Sequence, residues 1–211
     1  MDTPEKPPGT AALAVPDPAG PPSPAYVASL EIGYPTELNR WLPLVKWLLV
    51  IPHFIVLSFV ALGAFFVAIY AFFVILFTGR WPRGAFDYLV GTFRWAYRVV
   101  AYMHLMVDAY PPFSMADDPD YPVRLNIDYI ERMDNWRPLV QWLLAIPYLF
   151  VAAVLYWLTG LLTVVAFFTI LFTKRIPREI FELMMPGMRW NLRGNAYAYF
   201  VTDRYPPWVW G

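Results

Sequence analysis

His53 and His104 are the only imidazoles in the chain, and there is no cysteine. Thiol nucleophiles, disulfides and zinc–cysteine sites are therefore excluded. Neither histidine sits in an HExxH pattern, and no Walker loop, GxGxxG after a strand or Gly-x-Ser-x-Gly elbow occurs. A polar-tipped aromatic residue near a membrane interface accounts for both histidines without metal or catalysis. Asp108 and Asp203 each precede a Tyr with two prolines. Such aspartates accept turn or helix-end hydrogen bonds more readily than they serve as general acids. The arginines remain. Arg94 with Arg98, and Arg189 with Arg193, are spaced four apart and share one stripe of a helix. A guanidinium offers a fork of donors to phosphate oxygens, so these four are candidate lipid headgroup contacts. The plainer alternative is snorkelling, or pairing with Asp87 or Glu182. No cofactor, metal ligand or catalytic residue is expected, and the chain reads as a non-enzyme.

The elements that carry these residues are unusually apolar. Of 211 residues, 59% are hydrophobic and 15% charged, where soluble domains carry about 45–50% and about 25%. Lys plus Arg equals Asp plus Glu at 16 each, so nothing points to nucleic acid. These numbers indicate a membrane protein. Two apolar stretches, Trp41 to Thr78 and Trp136 to Thr173, hold as charged or imidazole side chains only Lys46, His53 and Arg137. A proton or ion path would place Asp or Glu at membrane depth, and neither stretch has one.

The chain repeats itself. An offset of 95 residues aligns 24–113 with 119–208 without a gap, and more than a third of the paired positions are identical. Pro43-Leu-Val-Lys-Trp-Leu-Leu-Val-Ile-Pro52 answers Pro138-Leu-Val-Gln-Trp-Leu-Leu-Ala-Ile-Pro147. Ile75-Leu-Phe-Thr-Gly-Arg-Trp-Pro-Arg83 answers Ile170-Leu-Phe-Thr-Lys-Arg-Ile-Pro-Arg178. Arg94-Trp95 with Arg98 answers Arg189-Trp190 with Arg193, and the Asp-x-Tyr-Pro-Pro ends answer each other. Together these motifs resemble a bacterial membrane-protein family known as domain of unknown function 4389, in two tandem copies. The resemblance implies a bacterial integral membrane protein and carries no reaction, cofactor or catalytic residue with it.

The residues predict a mainly α membrane protein of two repeats, 26–113 and 121–208, related by a pseudo-twofold axis. A disordered, proline-rich tail over 1–25, dispensable for folding, precedes them. A linker over 114–120 and an end at 209–211 complete the chain. Each repeat opens with period-two alternation, at Leu30, Ile32 and Tyr34 and at Leu125, Ile127 and Tyr129. That predicts one short strand per repeat, paired with the other or leaning on the membrane face.

One straight helix over Trp41–Thr78 would measure roughly 57 Å against a hydrocarbon core of about 30 Å. An odd number of crossings per repeat would also split the basic flanks Arg40, Lys46, Arg80, Arg83, Arg137, Lys174, Arg175 and Arg178 between two compartments. The expectation is therefore a two-helix hairpin in each stretch, a short span or a re-entrant wedge. Its turns fall near Leu62-Gly63-Ala64 and Trp157-Leu158-Thr159-Gly160. Interfacial amphipathic helices follow over Arg83–Val107 and Arg178–Val201, the second broken at Pro186-Gly187. Both termini are expected on the cytoplasmic side of a bacterial inner membrane. The expected partners are membrane lipids and another membrane protein or complex, on which the chain docks as a scaffold or accessory subunit. The rival reading is a lipid-binding or lipid-transferring protein that uses the arginine stripe.

Overall fold

A computed structural model describes residues 26–210; the 1–25 segment lies outside the described residues. In chain order the elements are β1 (Ala28–Ile32), α1 (Leu42–Leu49), α2 (Ile51–Thr78), α3 (Arg83–Met103), β2 (Val123–Ile127), α4 (Arg137–Thr173) and α5 (Arg178–Ala198). The alternation expected of the strands is present: both bury positions one, three and five and expose the two between. They pair with each other, antiparallel, with Leu30 opposite Leu125.

The hairpin expected inside each apolar stretch is not formed. Leu42–Thr78 runs as α1 and α2 with one tight step at Val50, and Arg137–Thr173 is a single helix. Gly63 and Gly160 are ordinary helical positions. A lone glycine costs about 1 kcal/mol in a helix, and nothing else near either position supplies turn chemistry. The hairpins lie one element later. The turns carry left-handed residues at Gly79 and Lys174, which end α2 and α4, and the chain then returns along each long helix as α3 and α5. Antiparallel packing follows from the contacts: Trp95 of α3 reaches His53, while Tyr88 reaches Val60. In the second repeat Gln141 meets Tyr197, and Thr159 meets Met184.

The break expected at Pro186-Gly187 is also absent, and α5 continues through it. A Cβ at Gly187 would stand 2.1 Å from Thr159 Oγ1 and 2.6 Å from the Leu155 carbonyl oxygen. The pair thus lets α5 press onto α4, and that packing compensates the hydrogen bond the proline removes.

The two repeats do not stand apart. α3 of the first packs against β2 of the second, and α5 packs against β1. The core joins the inner faces of the ribbon to Trp81, Phe86, Leu89, Val99 and Tyr102 of the first repeat, and to Ile176, Phe181, Met184 and Leu192 of the second. Full burial of one such side chain contributes about 1.5–3 kcal/mol. On the long helices only a narrow stripe is buried, Ala64, Ala68, Ala71 and Ile75 on α2 and Ala152, Thr159, Ala166 and Ile170 on α4.

Candidate functional site

One set of contacts at the strands and helix ends recurs 95 residues on, and each of its members crosses between the repeats. Arg94 Nε donates to the Leu125 carbonyl at 3.3 Å, and Arg189 Nε donates to the Leu30 carbonyl at 3.2 Å. Tyr129 donates to the Trp81 carbonyl and Tyr34 to the Ile176 carbonyl, both at 2.7 Å. Arg98 lies 5.5 Å over the Tyr121 ring, and Arg193 lies 5.8 Å over the Tyr26 ring. The Met133 amide meets the Gly79 carbonyl at one set of helix ends. The Leu38 amide meets the Lys174 carbonyl at the other.

The arginine stripe is thereby placed. It faces inward, onto the ribbon and the segment 113–118, rather than outward as a helix lying in headgroups would present it. Arg94 also donates from Nη1 to the Met115 carbonyl at 3.2 Å and lies 3.6 Å from Asp117. Arg98 is fully buried, with Nη1 3.4 Å from the Ser114 carbonyl oxygen. Its Nε and Nη2 find no hydrogen-bond partner among the described residues. Burial pulls the Arg98 and Arg189 guanidinium groups below their ordinary values, and the nearby Asp118 opposes this at Arg98. Segment 114–120, expected as a linker, is in part a packed strap across α3. The alternative pairings divide: Arg83 binds Asp87 and Arg178 binds Glu182, on the exposed first turns, and the four stripe arginines bind neither.

Neither histidine lies at a surface. His53 is wholly enclosed, stacked on Phe113 at 3.9 Å, with Nδ1 accepting from Trp95 Nε1 at 3.1 Å. Tyr148, Trp190 and Trp208 build the same aromatic nest in the second repeat. His104 is buried between Thr163 Oγ1 at 2.7 Å and Tyr156 OH at 3.1 Å, and burial lowers its pKa to about 4. No group of three His, Asp or Glu suited to a metal occurs among the described residues.

Sequence reasoning passed over one pair. Lys46 is 1% exposed, and its Nζ meets Asp108 Oδ1 at 2.8 Å and the Val107 carbonyl at 2.6 Å. Asp108 Oδ2 also accepts the Asn39 amide, just ahead of α1. In the second repeat Gln141 replaces the lysine and donates to the Tyr197 and Thr202 carbonyls. The signal was the lysine inside an apolar stretch, which demands a buried partner.

The largest feature is the outer surface of the long helices. Only 22% of the most apolar window of Leu42–Thr78 and 17% of that of Arg137–Thr173 is buried. Phe59, Phe66 and Phe77 on α2, and Phe150, Trp157 and Phe172 on α4, are each at least 60% exposed. Both helices are long and apolar enough to cross a membrane.

One family model, described as Domain of unknown function (DUF4389), matches the chain twice, at residues 41–115 and 135–209. No curated protein matches, and no solved structure matches.

Proposed function

The chain belongs to the DUF4389 family, as two tandem copies, and from its geometry we propose that it is a non-enzymatic membrane scaffold or accessory subunit. The observation that carries this reading is the bare apolar surface of α2 and α4, where large side chains such as Phe59, Phe77, Phe150 and Phe172 stand exposed along both helices, as surfaces that meet a membrane or another protein do. In lipid, or against another membrane protein, that surface is matched.

The seating we infer keeps the long helices along one face of the membrane of a bacterial cell. The Gly79–Met133 contact joins the end of α2 to the start of α4, and the Lys174–Leu38 contact joins the end of α4 to the start of α1. Each strand leads to one of those two ends, so the ribbon runs between them alongside the helices. Its outer face carries Ser29, Glu31, Arg124 and Asn126. A spanning orientation would drag this polar face into hydrocarbon, at a cost of several kcal/mol for each unsatisfied group. Seated in one leaflet, all basic ends stay on one side, in keeping with a cytoplasmic location of the whole polar body and both termini. Single cysteines at Thr10, Asp118 and Gly211 test this with a membrane-impermeant thiol reagent in intact cells. Protection of all three until lysis is expected; labelling of the Asp118 position alone means one crossing per repeat and ends this reading.

A second reading, lipid binding, has its own support in two apolar grooves at equivalent places. One of about 460 Å³ lies between Phe65, Phe72 and Phe200, and one of about 400 Å³ lies between Trp47, Leu105 and Phe167. Acyl chains suit these walls better than headgroups suit the inward-facing arginines. Purification in mild detergent, with identification of what accompanies the chain, separates the two. A protein in stoichiometric amount supports the scaffold; a lipid in stoichiometric amount supports the rival and displaces it.

A further inference from the structure

The two junctions where one long helix ends beside the start of the next are built alike and charged differently. At one, the Lys174 carbonyl accepts the Leu38 amide at 2.9 Å; at the other, the Gly79 carbonyl accepts the Met133 amide at 3.0 Å. Each forms a polar corner, of about 660 Å³ beside Lys174 and about 390 Å³ beside Gly79. By the offset of 95, Arg40 in the first answers Asn135 in the second, and Lys174 answers Gly79. Asn135 is engaged by its own helix end, where its side-chain amide donates to the Leu76 carbonyl at 3.0 Å. Arg40 and Lys174 take part in no ion pair among the described residues, and the carboxylate of their corner, Glu37, lies 3.9 Å from Arg175. In the other corner Asp134 and Asp203 stand with Arg80 and Arg132, so acids and bases balance there. Lys174 also sits at φ 59°, in the left-handed region that favours the glycine found at its counterpart. Glycine makes this turn without steric cost, and the second repeat keeps an ammonium there instead.

We propose that the Arg40–Lys174 corner binds a phosphate group, that of an anionic lipid headgroup. A guanidinium offers a fork of donors to phosphate oxygens, and an ammonium on a flexible stem adds a point charge. The surroundings specify a lipid as the source. Trp41 stands 64% exposed at the rim, and Leu44 and Leu48 carry the exposed apolar surface from there onto the bare helices. An indole between a charged corner and an apolar face marks the level of headgroups. The N-terminal residues have no equivalent claim on the corner. Segment 114–120 answers 19–25 by the repeat offset, and it does not line the matching corner beside Gly79. The chain also enters β1 at the far end of the ribbon, where Ala28 pairs with Ile127. The inference rests on the membrane seating that both readings above share. A lipid held by its headgroup alone exchanges, unlike the retained lipid of the second reading.

The full chain, in mild uncharged detergent, is titrated with equimolar phosphatidylglycerol and phosphatidylcholine, and bound lipids are counted by native mass spectrometry. Saturable preference for phosphatidylglycerol is expected. Arg40→Asn with Lys174→Gly, which copies the other corner, should weaken its binding about tenfold, the usual weight of a charge-assisted hydrogen bond. Lys174→Gly alone, which relieves the backbone, should give part of that loss even if the double variant misfolds. Arg80→Gln with Arg132→Gln, in the balanced corner, should leave binding unchanged. Equal uptake of the two lipids, or a preference untouched by the Arg40 and Lys174 changes, overturns the proposal. Inorganic phosphate should compete only in large excess; displacement at equimolar phosphate assigns the corner to a soluble ligand and overturns the lipid. A preference that emerges only in a chain lacking residues 1–24 assigns the corner to the N-terminal segment and overturns it as well. No readout here uses a bilayer, so the headgroup preference and the cysteine protection that tests the seating fail separately.

Discussion

The two repeats agree at their strands and helix ends and disagree between their helices. Left-handed residues recur at Gly79 and Lys174 and again at Leu105 and Phe200, and the crossed arginine and tyrosine contacts recur with them. Along the helix pairs the chemistry diverges. In the first repeat a charged pair, Lys46 with Asp108, and a histidine stacked on Phe113 fill the space. In the second, Gln141 and Tyr148 take those places, and glycines at 187 and 194 bring α5 against α4, where the first repeat has Thr92 and Val99. The comparison separates the parts that define the fold from those free to change. The ribbon and the turns hold both repeats at once, so a change there is felt twice; a helix pair meets the other at fewer points, among them His104 with Thr163 and Tyr97 with Asn191.

The largest test of this division is to cut the chain between the repeats. Each half then loses the strand that covers its own returning helix, α3 losing β2 and α5 losing β1. Residues 26–113 or 121–210 expressed alone should fail to give a folded monomer, either aggregating or exchanging strands as a homodimer. Co-expression of the halves should restore a 1:1 complex by light scattering and circular dichroism in detergent. A folded monomeric half would show that the crossed contacts are decoration.

Next in size is the charged pair present in one repeat alone. Asp108→Ala strands a lysine that is 1% exposed and should cost about 3–5 kcal/mol in denaturant unfolding. Asp203→Ala acts in a repeat where neutral Gln141 stands in place of Lys46, strands no buried charge and should cost less than about 1 kcal/mol. Copying the second repeat into the first, Lys46→Gln with Asp108 kept, should cost much less than Asp108→Ala, because no buried charge is left without a partner. Equal costs for the two aspartates would remove the distinction drawn between the helix pairs.

Much of this arrangement was legible from residues. The offset of 95, the strand alternation and the limits of the apolar stretches all hold. The position of the hairpin was not, because its argument rested on helix length against bilayer thickness and on keeping the basic flanks in one compartment, and neither reports where the backbone turns. Which strand covers which helix was also hidden. Alternation reports the face a residue takes, not the element it meets. The setting of the arginines was hidden for a related reason: their spacing shows a shared stripe and not the ribbon that packs against it. Pro186 reads as a breaker on its own, and only the approach of α4 to Gly187 explains why the helix persists.

Acidification sharpens the comparison at a third place, where His104 of the first repeat answers Tyr199 of the second. His104 is held neutral by burial, with its pKa lowered to about 4, and its ring contacts are Thr163 and Tyr156 of α4. The unfolded chain takes up the proton at about pH 6.5. Its contribution is thus fully present above that pH and is lost as pH falls from about 6.5 to 4, amounting to about 3 kcal/mol at most. His104→Tyr, which copies the second repeat, should flatten this part of the pH–stability profile. An identical profile in the variant would place the acid sensitivity elsewhere.

The smallest effects belong to three glycines and concern how tightly each helix pair is closed. At Gly187 an added methyl group meets backbone of α4 at 2.6 Å, which a side-chain adjustment cannot relieve. Gly187→Ala should therefore cost about 1–3 kcal/mol, within the range of overpacking. At Gly63 the nearest atom is the Tyr88 hydroxyl at 2.5 Å, the far end of a side chain that can swing aside at the loss of its bond to Val60. Gly63→Ala should be close to neutral, its helix propensity offsetting that hydrogen bond. At Gly160 a methyl group meets nothing within 4 Å, so Gly160→Ala should stabilise by about 0.5–1 kcal/mol through propensity alone. Thermal midpoints of the three variants, measured side by side, should fall in the order Gly160→Ala, Gly63→Ala, Gly187→Ala. A reversal of the last two would mean that the first helix pair, and not the second, is the closely packed one.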